Sequence, residues 1–264
     1  MTACMQGVNV TMKTSKMSGF TLVELLVVIG ILGILSAALF PAISNAVMKA
    51  NMTAVATRGR DIYVAITSAN TEREPLGLGN VWPKTQTDQS AEKGDDDIGG
   101  KTFSNSSDYF YELYDGKNVG SENHSPYVAG FDYSKLAGAG VPAKSGTGTL
   151  KSENNMWCIA GNVRDEMEDI IPILVTRNVD CATLKKDLTD ASSNEKITLG
   201  GQYKAPFSNK GFVMVRKGGG TFNAPAKYAT VRVVYQNQSF KTTIAGGNSQ
   251  PLTYLGPDSE QNPQ

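Results

Sequence analysis

Residues 20–40 form an almost uninterrupted apolar run, and this run constrains the fold more than any other feature of the chain. About twenty residues in a helix that rises about 1.5 Å per residue span about 30 Å, the thickness of a bilayer's hydrocarbon core. Residues 1–19 are polar, contain Lys13 and Lys16, and lack any acidic side chain. The positive-inside rule therefore predicts that this leading segment stays in the cytoplasm while the rest of the chain is exported.

The apolar run contains a single carboxylate, Glu24. A charged side chain inside a bilayer costs about 2–3 kcal/mol even on lenient insertion scales, so it usually faces a partner. The surrounding segment offers no cation. Cleavage just before Phe20 would create one, because the new α-amine would lie one helical turn from the carboxylate, on the same face. We therefore expect Glu24 to pair with the Phe20 amine of its own chain or of a neighbouring copy.

The residues around this carboxylate match a known pattern. Residues 19–24 read GFTLVE, and they are followed by the apolar sequence LLVVI. This segment resembles the N-terminal signature of type IV prepilins and type II secretion pseudopilins. The resemblance implies that a membrane-embedded prepilin peptidase cleaves after Gly19 and methylates the amine of Phe20. It also implies that Glu24 neutralises the Phe20 amine of an adjacent subunit during assembly.

The same resemblance implies the partners and the location of the protein. Other pilin-like subunits, an inner-membrane assembly platform and a cytoplasmic ATPase would build a filament, in the periplasm or on the cell surface. The chain would first lie in the inner membrane as a single-pass protein with a cytoplasmic N-terminus. The resemblance covers residues 13–65. The 19-residue leader is longer than many in the family, and Met12 and Met17 are alternative starts that would remove Cys4 from the leader.

After Pro41 the pattern becomes amphipathic, with apolar residues at three- and four-residue intervals. These residues are Ile43, Ala46, Val47, Ala50, Ala54, Ile62, Ala65, Ile66 and Ala69. The pattern predicts one helix over residues 20–71, whose first half spans the membrane and whose second half packs on the head. Pro41 removes a backbone donor and is expected to kink this helix. The predicted domains are a leader over residues 1–19, an assembly helix over 20–72 and an exported head over 73–264.

The head is predicted to be α+β, with an antiparallel β-sheet that the long helix covers. The predicted strands are residues 156–160, 211–217, 228–235 and 238–244. Ser107 or Asp108 is expected to cap a short helix that extends through Tyr114. Residues 84–101 and 138–152 are rich in Gly, Ser, Thr and Asp and are predicted to be surface loops.

The head shows no recognisable catalytic pattern, so we predict a protein that is not an enzyme and needs no cofactor. The only histidine, His124, is interpreted as a surface residue. Residues 217–221 read KGGGT, which lacks the residue order of a phosphate loop and predicts a hairpin loop. Asp95, Asp96 and Asp97 are interpreted as a solvated acidic loop, with a calcium site as the alternative. The 25 basic and 25 acidic residues balance, so no nucleic-acid partner is expected.

Two cysteines, Cys158 and Cys181, would lie on the exported side, where a disulfide can persist. The sequence leaves open both a bridge between them and a pair of buried thiols.

Three functions are compatible with these features. The first is a structural subunit of a type II secretion pseudopilus or a type IV pilus, and the size of the head favours the pseudopilus. The second is a minor pilin-like subunit whose head binds a surface or a secreted substrate. The third is an exported enzyme or solute-binding protein with an ordinary signal peptide cut near residues 36–38, which read SAA. This last interpretation leaves Glu24 unexplained.

Overall fold

A long N-terminal helix dominates the first part of the fold. The computed structural model describes residues 19–85, 98–115, 127–146, 148–185, 187–190, 192–241 and 252–258. Helix α1 (Leu22–Arg73) is followed by a short 3-10 turn, Glu74–Leu76. The predicted helix over residues 20–71 is therefore confirmed. Pro41 lies inside α1, and a kink at this residue stays a prediction.

The chain divides into two compact units, one ending at Ala46 and the other beginning at Val47. In the first unit, every described residue is exposed, including the large apolar side chains. Among the described residues, α1 is the one helix that is long and apolar enough to cross a membrane, and none of its most apolar stretch is buried within the protein. These side chains therefore gain no shielding from water within the chain itself.

In the second unit, the remainder of α1 packs on the sheet of the head. Its buried residues are Met52, Val55, Ala56, Gly59, Ile62, Ala65, Ile66 and Ala69. This stripe follows the helical period, as expected for an amphipathic helix. Other members of the predicted stripe are exposed, so that part of the prediction is wrong; they are Ile43, Ala46, Val47, Ala50 and Ala54. The stripe passes through Val55 and Gly59, and Ala54 lies about 100° around the helix from Val55.

The head contains a five-stranded antiparallel sheet within the described residues, which confirms the α+β class. Its strands are β1 (Trp157–Gly161), β2 (Pro172–Thr176), β3 (Gly211–Arg216), β4 (Thr221–Pro225) and β5 (Thr253–Leu255). Their order is β4-β3-β2-β1-β5, and each neighbouring pair is antiparallel. Strands β1 and β3 correspond to two predicted strands. The loop between Arg216 and Thr221 closes the β3–β4 hairpin, as predicted, with the Arg216 N–H donating to Gly220 O at 2.8 Å.

One of the four predicted strands is wrong, and a second is wrong over the residues that the structure describes. Residues 228–235 include the end of a 3-10 turn (Ala226–Tyr228) and a short helix, α3 (Val231–Val234). Of residues 238–244, the structure describes 238–241, where Phe240 forms only an isolated bridge with Leu188. The strand prediction at residues 228–235 rested on their β-branched composition, which reflects burial as much as strand formation. Val231 and Val234 of α3 are buried in the head without joining the sheet.

The short helix α2 (Ser106–Asp115) confirms the prediction of a helix, although its cap differs from the one expected. Asn105 caps the helix, since its side-chain Oδ1 accepts from the N–H of Asp108 at 2.7 Å. Three apolar side chains from the predicted surface loops, Ile98, Val141 and Leu150, are buried in the core, so the loop prediction is wrong at these positions.

Helix α1 covers one face of the sheet, and segments of the head cover the other face. Trp157 on β1 and Val215 on β3 point toward Gly59 of α1, because a Cβ built on that glycine would approach both side chains. Side chains of neighbouring residues alternate between the two faces of a strand, so Cys158 points to the opposite face. Arg216 donates to the Val234 carbonyl at 2.8 Å, so α3 belongs to the segments that cover the sheet away from α1.

Candidate assembly site at the start of helix α1

The start of α1 is a reciprocal hydrogen-bonded cap formed by Thr21 and Glu24. The Thr21 backbone N–H donates to Glu24 Oε2 at 2.9 Å, and the Thr21 hydroxyl donates to the same oxygen at 2.7 Å. In return, the Glu24 N–H donates to Thr21 Oγ1 at 3.3 Å. This arrangement is a capping box, in which the residue before the helix and the third helical residue satisfy each other's backbone donors.

The cap fixes where the Glu24 carboxylate lies. Backbone N–H groups in the first helical turn have no partner within the helix, and their dipoles favour a negative charge there. Both hydrogen bonds from Thr21 reach one oxygen, Oε2. An ionised carboxylate has about four acceptor positions on its two oxygens, so the cap leaves capacity for a second donor. The carboxylate is thus held at the helix start and can still accept from an ammonium group.

Gly19 and Phe20, the predicted processing residues, lie immediately before this cap. Both are exposed, and the Phe20 side chain is 80% exposed. The structure therefore places the predicted cleavage position and Glu24 at the same end of α1. The roles assigned to them in cleavage, methylation and pairing stay predictions.

Thr21 is a site residue that the sequence reasoning missed. The pattern Thr-x-x-Glu immediately before an apolar run is a known sequence signature of a capping box. Residues 21–24 read TLVE and match this signature. The pattern was therefore sufficient to predict the contact between Thr21 and Glu24.

An apolar surface extends from this cap along the first half of α1. Its exposed large side chains include Leu22, Val23, Leu25, Leu26, Val27, Val28, Ile29, Ile31, Leu32, Ile34, Leu35, Leu39 and Phe40. Gly30 and Gly33 interrupt this surface, and a Cβ added to either one would meet no atom within 4 Å. Small residues at such positions allow two helices to approach closely in lipid. The surface can therefore pack against lipid or against other apolar helices.

The predicted cysteine pair lies in the head. Cys158 on β1 and Cys181 at the start of a 3-10 turn (Cys181–Thr183) are buried thiols, and the structure shows no bond between their sulfurs. Burial, and then the contact with Cys181, raises the pKa of the Cys158 thiol well above its usual value.

The remaining candidate residues fall outside the described part of the chain. These are the acidic run Asp95–Asp97 and the histidine His124. Within the described ranges, no group of three or more His, Cys, Asp or Glu side chains is arranged to hold a metal ion.

Comparison with known proteins finds a family match at the N-terminal segment of the chain. Residues 14–40 match the family model described as the prokaryotic N-terminal methylation motif, the prepilin-type signature. This match supports a protein of the type IV pilin-like class, which includes the pseudopilins, and it fits membrane anchoring through α1. No curated protein and no solved structure matches the chain significantly.

Proposed function

We propose that this protein is a structural subunit of a pilin-like filament, either a type II secretion pseudopilus or a type IV pilus. A prepilin peptidase removes residues 1–19, and the mature chain assembles through the N-terminal part of α1. The observation that carries the proposal is the position of the Thr21–Glu24 cap. It lies directly after the processing position, at the N-terminus of a helix whose first half is apolar and exposed.

The proposal explains why a carboxylate lies inside an apolar segment. Cleavage after Gly19 gives Phe20 a charged amine, which is the strongest donor available to Glu24 in this region. When the amine belongs to a neighbouring subunit, the pair sets the register between two helices. A misaligned neighbour would leave two unpaired charges in an apolar environment, at a cost of several kcal/mol.

The proposed topology follows from the same segment. Lys13 and Lys16 keep the leader in the cytoplasm, α1 crosses the inner membrane, and the head lies on the other side. The apolar surface of α1 contacts lipid before assembly and other subunits in the filament. The role proposed for the chain is structural, with no catalytic step.

Peptidase processing tests the proposal. The full chain is produced in membranes with and without a prepilin peptidase, and its size is compared by gel electrophoresis. We expect cleavage of the wild type and of the leader control Gly7→Leu, and no cleavage of Gly19→Leu. Cleavage near Leu39, or cleavage of all three chains without the peptidase, would show an ordinary signal peptide and would contradict the proposal.

A further inference from the structure

Basic and acidic side chains are unevenly distributed along this chain, although its net charge is zero. Residues 196–257 contain eight basic side chains and no acidic one, so all 25 acidic residues lie elsewhere in the sequence. This basic segment includes strands β3 and β4 and the turns that flank them. An asymmetry of this kind indicates a surface that attracts an anionic partner.

The two ends of the sheet are distinguished by the direction in which α1 crosses it. At one end, a Cβ built on Gly211, the first residue of β3, would collide with the side chain of Met52 in α1. At the other end, the Tyr63 hydroxyl donates to the carbonyl of Lys217, just after β3, at 2.6 Å. The chain enters this unit of the fold at Val47, so the apolar segment is joined to the head at the Gly211 end.

Two lysines and a tyrosine are exposed at the Gly211 end. Lys210 directly precedes β3, and its carbonyl accepts from the N–H of Ala226 at 2.9 Å. Lys227 is the next residue after Ala226, so the two exposed lysines lie on neighbouring turns. The Lys227 ammonium lies 4.7 Å from the ring centroid of Tyr228, which is 44% exposed. Tyrosine is enriched where proteins meet the headgroup region of a membrane, because its ring is apolar and its hydroxyl is polar.

Lys204 and Lys49 extend this positive surface. Arg177, directly after β2, donates its Nε–H to the carbonyl of Ala205 at 3.1 Å, which places the exposed Lys204 at the same end of the sheet. Lys49 is exposed on α1, about one helical turn before Met52. We refer to these exposed lysines as the basic end of the head; they are Lys49, Lys204, Lys210 and Lys227.

The ammonium groups of the basic end form no ion pair with any residue that the structure describes. Other lysines of the described part do pair with acidic side chains; they are Lys101, Lys135, Lys151, Lys185 and Lys217. Two acidic side chains near the basic end are already engaged, since Glu153 lies 4.0 Å from Lys151 and Asp258 accepts from the Tyr203 hydroxyl. The basic end therefore carries a positive charge that an anionic partner can neutralise.

We propose that the basic end docks on the anionic lipid headgroups of the membrane that holds the apolar segment of α1. The inference rests on the proposed function in one respect, which is that this segment is inserted in a membrane. The covalent connection at Val47 then tethers the basic end to the lipid surface, and anionic lipids attract lysines within about a Debye length, about 10 Å. A nucleic acid offers similar phosphate chemistry, but this tether favours the lipid. Docking holds the head against the membrane before the subunit enters a filament.

Site-resolved lysine labelling in nanodiscs tests the docking. The full chain is reconstituted at one copy per disc, in phosphatidylcholine alone or mixed with phosphatidylglycerol, and is treated briefly with an acetylating reagent. Mass spectrometry of chymotryptic peptides gives the labelling rate of each lysine relative to Lys84, which lies beside the last residue of β1, at the other end of the sheet.

The two lipids should give different labelling rates at the basic end. We expect phosphatidylglycerol to slow the labelling of Lys204, Lys210 and Lys227 about fivefold, which is the equilibrium effect of one lysine near an anionic surface. High salt should remove this slowing, because it screens charges that are exposed to solvent. Equal rates in the two lipids, or an equal slowing of Lys84, would overturn the proposal.

A matched pair of variants separates docking from a general effect of lipid charge. Lys227→Gln weakens the attraction of the whole basic end, so Lys204 and Lys210 should become faster to label in the anionic discs. Lys101→Gln removes the same charge close to Lys84 and should leave the slowing intact. Slowing in phosphatidylcholine that requires several chains per disc, or an added oligonucleotide, would assign the basic end to a second copy or to a nucleic acid and would overturn the proposal.

Peptidase processing of the same chain separates this inference from the proposed function. A chain that is cleaved after Gly19 but labels equally in both lipids refutes the docking alone. A chain that the peptidase leaves uncut, but whose basic end is slowed by anionic lipid, refutes the proposed processing alone.

Discussion

Thr21 and Glu24 cap helix α1 reciprocally, with both the backbone N–H and the hydroxyl of Thr21 donating to Glu24 Oε2. The Glu24 carboxylate therefore has two separable roles. It completes the first helical turn of its own chain, and in the proposed filament it pairs with the amine of another chain. Variants that remove one role and keep the other distinguish these contributions.

Replacement of Glu24 by Gln and by Ala separates the charge from the cap. Gln can preserve the capping box but carries no charge, whereas Ala removes both. Because an uncharged side chain cannot neutralise the Phe20 amine, we expect both variants to be cleaved normally and to assemble poorly. The measurement is the amount of mature subunit in the sheared filament fraction relative to the membrane fraction. Wild-type filament yield from Glu24→Gln would show that the cap suffices and that charge pairing has no role.

Replacement of Thr21 by Val tests the cap alone. Val keeps the branched shape but removes the hydroxyl, which donates one hydrogen bond and accepts another. Loss of a cap costs about 1 kcal/mol, so we expect amide exchange in the first turn to accelerate about fivefold. Hydrogen exchange of the Glu24 and Leu25 amides, which donate to Thr21, reports this change and is measured by NMR on the processed chain in detergent micelles. Thr21→Ser is the control and should exchange like the wild type.

Gly59 is a point of close approach between α1 and the sheet. A Cβ at this position would lie 2.6 Å from Trp157 Cη2 and 2.9 Å from Val215 Cγ2. Gly59→Ala gains about 1 kcal/mol of helix propensity but overpacks the core, which typically costs about 1–3 kcal/mol. We expect a net loss of stability, measured as a lower midpoint of thermal unfolding of the head. Gly30→Ala, where the added Cβ meets nothing within 4 Å, should leave this midpoint unchanged.

Asn155 links α2 to β1 inside the core. Its amide donates to Ser106 Oγ at 2.9 Å and to Ser107 Oγ at 3.2 Å, and its Oδ1 accepts from the Trp157 N–H at 3.0 Å. Asn155→Ala removes the acceptor of the buried Trp157 N–H, while the Ser106 and Ser107 hydroxyls keep their hydrogen bonds to the carbonyls of Trp157 and Pro257. Because an unsatisfied buried donor costs about 1–3 kcal/mol, chemical denaturation should show a loss of that size in the free energy of unfolding.

The neighbouring Glu153 provides the control for the Asn155 variant. Its side chain is 67% exposed, and its nearest cation, Lys151, lies 4.0 Å away. Exposed pairs of this kind contribute at most about 1 kcal/mol, so Glu153→Ala should alter stability little. Equal losses from the two variants would contradict the role given to the buried network.

The sequence predicts the N-terminal half of this protein well because its signals there are local. The apolar run with its single carboxylate, and the helical periodicity that follows it, can be recognised without knowledge of distant contacts. Helix α1 ends within two residues of the predicted position. The contact between Thr21 and Glu24, although missed, could also have been predicted from the spacing of these two residues.

The head was predicted less well because its structure depends on distant partners. Residues 228–235 have strand-like composition, yet Val231 donates its N–H to Glu195 O and Arg232 donates to Ser193 O, both outside the sheet. Strand β2 begins with Pro172, which is tolerated as the first residue of a strand but weakens the sequence signal. Strand β5, Thr253–Leu255, is too short to show any periodicity. The secondary structure of these segments is determined by tertiary packing rather than by local sequence preference.

The most direct test of the account is the intact mass and the N-terminal sequence of the protein isolated from its native membrane. The account predicts a chain that starts at Phe20 and is heavier by one methyl group than the unmodified sequence. A chain that starts near Leu39, or one that retains its leader, would lack the charged Phe20 amine. Either result would contradict the pairing of that amine with Glu24 and, with it, the proposed assembly.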